Sequence, residues 1–100
     1  MLGLVAYSNR QADRIALDAE VALRRPGQHL YRVRVYDAST HGCKLEFVQR
    51  PLVDERVWVK FEGLDAIESA VCWVEGFVVG VEFVRPMYPP VFDALVARLR

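Results

Sequence analysis

Two short polar clusters in this chain hold the side chains best suited to gripping a ligand. The first, Arg10-Gln11-Ala12-Asp13-Arg14, sets two arginines four residues apart. The second, Asp37-Ala38-Ser39-Thr40-His41-Gly42, gathers a carboxylate, two hydroxyls, an imidazole and a glycine. An arginine fork binds phosphate oxygens two at a time and also reaches the O6 and N7 edge of guanine. A carboxylate accepts hydrogen bonds from the N1 and N2 donors of the same base. Glycine lets a backbone come close, and the N–H groups of a tight turn form a nest for an anion. The combination suits a small ligand that carries both phosphates and a guanine.

These groups act together only if the fold joins them, because 23 positions separate Arg14 from Asp37. The intervening chain is patterned to do so. From Arg14 to Arg24, Ile15, Leu17, Ala19, Val21 and Leu23 point one way and Asp18, Glu20 and the terminal arginines the other. That is the period of a strand with one wet face. Arg25-Pro26-Gly27-Gln28 has the chemistry of a turn. Tyr31, Val33 and Val35 then alternate with Arg32 and Arg34 in a second strand, Leu30 to Tyr36. Antiparallel neighbours place the start of the first strand beside the end of the second, so the two clusters are expected at one edge.

The alternation continues. Cys43, Leu45 and Phe47 mark a third strand ending near Arg50-Pro51, and Val57, Val59 and Phe61 a fourth. Ile67, Val71 and Trp73 belong to a fifth, which turns at Glu75-Gly76 into a sixth over Phe77–Val84. Six short strands with short connections predict an all-β antiparallel barrel or sandwich, and closure removes the sheet edges of so apolar a chain. After Arg85-Pro86, Pro89-Pro90 opens a helix with Val91, Phe92, Leu95, Val96 and Leu99 at helical spacing. So short a helix is marginal alone and is expected to dock on the barrel. One domain is expected: a motif-bearing loop at 8–14, a barrel over 14–84 and a helix over 89–99.

Composition narrows the function classes. Thirteen basic and thirteen acidic residues cancel, and 53% of the chain is apolar. That balance argues against binding a nucleic-acid polymer or an anionic membrane surface. No apolar run approaches the roughly 18 residues of a membrane span. The opening MLGLVAYS lacks the basic region of a secretory leader, so the expected location is the cytoplasm. Cys43 and Cys72 are too few for a disulfide scaffold and are expected to be reduced, small core residues. Eleven of the thirteen cations are arginine, the residue that grips phosphate and guanine as a planar fork.

Asp37, Ser39 and His41 sit at alternate positions of one turn, a spacing unsuited to a catalytic triad, and no enzymatic activity is expected. His29, His41 and Cys43 lack metal-ligand spacing, so neither a metal nor a cofactor is expected. His41 is expected to be an exposed turn residue, and Trp58 and Trp73 to pack rather than to stack a ligand.

The Arg-x-x-x-Arg pair, the Asp-x-Ser-x-x-Gly turn and the six-stranded barrel with a closing helix together resemble the PilZ domain. That family binds the bacterial second messenger cyclic di-GMP. The resemblance spans about residues 8–99 and includes Val71-Cys72-Trp73-Val74 and Gly80-Val81-Glu82-Phe83. It implies a PilZ-type six-stranded antiparallel β-barrel with a C-terminal α-helix. It assigns Arg10 and Arg14 to phosphate and guanine contacts, Asp37 and Ser39 to guanine and phosphate groups, and Gly42 to the turn. Arg24-Arg25 lies nearer to Asp37 in sequence, but Pro26-Gly27 marks it as part of a hairpin turn. Asn9 stands before the first arginine, a position that in this family bears on whether one ligand or a stacked pair binds. Arg32 or Arg34 could support a pair.

The resemblance implies a stand-alone cytoplasmic receptor for cyclic di-GMP that signals to a downstream effector protein. Free, the arginine pair is expected to lie on a loop with few contacts; bound, it is expected to clamp onto the barrel and carry Met1–Asn9 with it. The alternative is a nucleotide-independent PilZ-like adaptor acting through the barrel surface or the helix. A homodimer is a further open alternative.

Overall fold

The computed structural model describes residues 14–99; the expectations for Arg10 and for Met1–Asn9 lie outside the described residues. Six strands, β1 (Ile15–Arg24), β2 (Tyr31–Ala38), β3 (Gly42–Glu46), β4 (Arg56–Lys60), β5 (Ile67–Glu75) and β6 (Val78–Phe83), precede one helix, α1 (Pro89–Leu99). The strands close into a barrel in the order β1-β2-β3-β6-β5-β4. Every neighbouring pair is antiparallel, including β4 with β1. The architecture is the expected one.

The period-two positions line the interior. Leu17, Val21 and Leu23 meet Val33, Val35, Cys43, Leu45, Phe47, Val57, Val59 and Phe61 in a single core. Phe92, Leu95 and Val96 of α1 join it, so the helix buries the stripe that its spacing predicts. Truncating the fully buried Leu95 should cost about 2–5 kcal/mol. Val91, expected on that stripe, is exposed instead; it lies at the margin of the face that Phe92, Leu95, Val96 and Leu99 share. At the other end of α1, Arg98 donates to the Glu62 carbonyl at 2.8 Å, a cation where the helix dipole favours one.

The β5–β6 hairpin turns one residue later than expected. Glu75 pairs with Val78, leaving Gly76 and Phe77 as the turn. Gly76 has φ +63°, which a two-residue hairpin with glycine in its first central position requires.

Three ladders slip in register, β1–β2 between Ala16 and Ala19 and two others, and those two decide which side chains face outward at the site. Val35 pairs with Leu45 but Asp37 with Lys44, so β2 carries one extra residue, Tyr36. Val71 pairs with Val81 but Trp73 with Gly80, so β5 carries one extra residue, Cys72. Strict alternation would point Asp37 inward with Val33 and Val35, and Trp73 inward with Val71. After the slips both face out, while Ala38 and Val74 turn to the core side. Bulges re-aim side chains in this way.

Antiparallel order gives the barrel two distinct ends. One holds the start of β1, the β2–β3 and β4–β5 connections and α1. The other holds the β1–β2 turn, the β3–β4 connection and the β5–β6 turn.

Candidate functional site

Pairing of Ala16 with Asp37 brings the residue just before β1 alongside the end of β2. Arg14 Nη1 donates to Asp37 Oδ1 at 2.6 Å. On the opposite side, Lys44 Nζ lies 3.4 Å from Asp37 Oδ2. One carboxylate is thus bracketed by two cations, one just ahead of β1 and one on β3. The Asp37 side chain is only 18% exposed, whereas those of Arg14 and Lys44 are each 37% exposed. The cations therefore present charge to solvent while the carboxylate sits between them. Arg14 has a partner already, contrary to the expectation of an arginine with few contacts.

Lys44 was not among the expected site residues. Alternation in β3 places it on the wet face, but its meeting with Asp37 depends on the slip at Tyr36, which no residue pattern announces. The surface beyond continues in the same chemistry. Lys44 Nζ lies 6.0 Å from the Tyr36 ring, and the Arg34 guanidinium lies 5.0 Å from it. Tyr36 donates its hydroxyl to Glu46 at 2.9 Å; that bond to a carboxylate holds the phenol above its usual range. Arg32 pairs with Glu20 at 3.1 Å further along β2.

The Ser39–Gly42 turn is built by its own hydrogen bonds. Ser39 N–H donates to the Gly42 carbonyl at 2.8 Å, and His41 N–H donates to Ser39 Oγ at 3.0 Å. Those two N–H groups are consumed within the turn, which corrects the expectation of an open backbone nest there. Ser39 is buried, and its hydroxyl retains its own proton to donate. Two more bonds moor the turn to the chain leading into α1: Phe83 N–H to the His41 carbonyl and Met87 N–H to the Thr40 carbonyl, both 2.7 Å.

Gly42 has a steric reason to be glycine. A Cβ there would lie 2.1 Å from the Val81 carbonyl oxygen, because β3 and β6 pack too closely for a side chain. The close approach that glycine permits here is strand to strand.

Asp37, Ser39 and His41 form no hydrolytic relay. The imidazole Nδ1 meets Thr40 Oγ1 at 3.1 Å, Ser39 Oγ engages the His41 backbone, and Asp37 engages Arg14. His41 is half-buried, not fully exposed as expected. Among the described residues no three His, Cys, Asp or Glu side chains converge as metal ligands.

The neighbouring arginines separate clearly. Arg25 binds Glu55 at 2.7 and 3.0 Å, and Arg24 lies 4.2 Å above the Trp58 ring. Both stand at the opposite end of the barrel from Asp37.

The two cysteines differ. Cys43 is buried as expected, and burial pushes its thiol up, with nearby Asp37 adding to the effect. Cys72 is exposed, which corrects its expected place in the core; Val71 takes the inward position, and alternation turns its neighbour Cys72 out. Its thiol lies 3.9 Å from Glu82 Oε1 and is raised by partial desolvation and by that carboxylate. Trp73, 38% exposed, lays its indole on Gly80, the residue paired with Lys44. It packs, as expected, but on the outer wall of the barrel.

No helix among the described residues is long and apolar enough to cross a membrane. No curated protein matches the chain. The family model of the PilZ domain matches residues 8–99. With the barrel and closing helix in place, the chain belongs to the PilZ domain family, known as cyclic di-GMP-binding domains.

Proposed function

We propose that this protein is a receptor for cyclic di-GMP that signals to a partner protein, working by binding rather than catalysis. The observation that carries this reading is the convergence of Arg14, Asp37 and Lys44 on one patch beside the Ser39–Gly42 turn, in a chain of this family. Asp37 accepts from guanine N1–H and N2–H. Its two oxygens offer about four lone-pair sites, enough to hold the base while keeping a cation. Arg10 and Arg14 supply the forks for phosphate and guanine edges, and Lys44 adds a point charge for phosphate. Ser39 donates its hydroxyl, and Gly42 keeps the turn against β6.

Ligand contacts from both arginines fix the chain that precedes β1 and present it to the effector. The protein acts in the cytoplasm and needs no resident cofactor or metal. Calorimetric titration with cyclic di-GMP and cyclic di-AMP tests the reading. Saturable binding that favours the guanine nucleotide supports it. An absence of binding overturns it in favour of the nucleotide-independent adaptor.

A further inference from the structure

Five large apolar side chains are exposed on the connections at the barrel end away from Asp37: Leu30, Val48, Leu52, Val53 and Phe77. Leu52 is 78% exposed and Val48 68%. At half to three-quarters exposure, these five present on the order of 500 Å² of apolar surface, the upper part of the range for patches with a function. With a polar rim, that meets the roughly 800 Å² per partner of a stable interface.

The patch is shaped in advance. Arg25 binds Glu55 and also donates to the Gln49 carbonyl at 3.1 Å, tying the β1–β2 turn to the β3–β4 connection. Glu55 in turn accepts from Leu52 N–H at 3.2 Å, and Phe47 N–H donates to the Phe77 carbonyl at 2.8 Å. Asp54, at φ +73°, donates its N–H to the Val71 carbonyl at 2.8 Å and turns the chain just past Leu52 and Val53. A surface held this firmly loses little conformational freedom on binding.

The same end also carries a recess. A groove of about 610 Å³ opens between the β1–β2 turn and the β3–β4 connection, lined by Tyr31 and Val48 with Gln28, His29 and Gln49 around them. Protruding and concave apolar elements on one face make that face self-complementary, and such a face closes about a two-fold axis. The chain has no net charge to drive copies apart, and the charged pair at this end, Arg25 with Glu55, is already neutralised internally. We infer that this end of the barrel is a self-association surface, where the Leu52–Val53 tip of one copy seats in the Tyr31–Val48 groove of a second and the reverse. The two nucleotide sites then lie at the outer ends of the dimer, so assembly and ligand binding are independent.

Sedimentation of the full chain from low micromolar to several hundred micromolar tests this. The wild type should sediment as a dimer in the upper range. Leu52→Asp and Val48→Asp, each with wild-type circular dichroism, should weaken dimerisation at least tenfold and leave cyclic di-GMP affinity unchanged. Val84→Asp, at the opposite end, should remain dimeric. A wild type that stays monomeric throughout overturns the inference, as does a dimer that survives both charged substitutions. A dimer broken equally by Val84→Asp overturns it too. Because nucleotide binding is measured separately, the proposed receptor function stands or falls on its own.

Discussion

The Arg14 guanidinium donates to the Asp37 carboxylate at 2.6 Å across the β1–β2 ladder, so the two halves of the proposed site are joined by the protein itself. A ligand does not have to recruit Arg14 from a distant loop. It enters an existing pair, taking a lone pair of Asp37 and offering phosphate oxygens to the arginine.

Replacing Arg14 by alanine should weaken cyclic di-GMP binding about ten- to 150-fold, the loss of one charge-assisted bidentate contact at roughly 1.5–3 kcal/mol. The fold should survive, because a pair this open to solvent contributes only about 0–1 kcal/mol to stability. Calorimetry on the folded variant decides it: near wild-type affinity removes Arg14 from the site.

Asp37→Ala should erode selectivity as well as affinity, since it deletes the acceptor for guanine N1–H and N2–H. The ratio of cyclic di-GMP to cyclic di-AMP affinity is the readout. An unchanged ratio would show that Asp37 does not read the base.

Amide hydrogen exchange of residues 1–14 should slow sharply when cyclic di-GMP is added, with β2 to β6 changing little. The arginines of that segment are the proposed bridge between ligand and effector. Equal protection with and without nucleotide would refute the transmission step and leave the binding site standing.

Gly42→Ala should destabilise the barrel by about 1–3 kcal/mol or more, since overpacking here presses on a backbone carbonyl that cannot rotate away. Urea unfolding measures it. A variant as stable as the wild type would mean that β3 and β6 can separate without penalty.

The Arg25–Glu55 pair should make stability depend on pH. The hydrogen bond from Arg25 holds the Glu55 carboxyl below its ordinary value of 4.5 against the opposing effect of burial. Glu55 therefore contributes stability that is present above about pH 4.5 and is lost as pH falls through its folded value. Glu55→Gln should be less stable at neutral pH by about 1.5–3 kcal/mol, and the gap should close on acidification below 4.5. Parallel denaturation curves at neutral and acid pH would test this; a gap that stays constant would assign the loss to packing instead.

The barrel was legible in the residue order because four of its strands keep the parity of their apolar positions throughout, and the other two keep it up to a single slip. Val33 and Val35 foretell their inward place, as do Leu45, Val57 and Val59. Meeting of Arg14 and Asp37 followed from two adjacent strands and a tight turn. Lys44 was hidden, as was the outward turn of Trp73, because each depends on one surplus residue in a ladder. Tyr36 and Cys72 look like ordinary strand residues, and only the pairing partner shows that two residues stand opposite one. The need for glycine at position 42 was hidden for a related reason: the crowding atom, the Val81 carbonyl oxygen, lies 39 residues away in sequence.

The surplus residue in β2 makes the site a matter of counting. Were β2 and β3 to pair without that slip, the arginines, Asp37, Ser39 and Gly42 would all remain in order, yet the carboxylate would swing to the inside of the barrel and Ala38 to its skin. The register between Val35 and Asp37 therefore matters more to the site than the side chain at position 36. Which residues stand opposite one another, rather than which amino acid fills the surplus place, is the property of that short stretch that descent has to preserve.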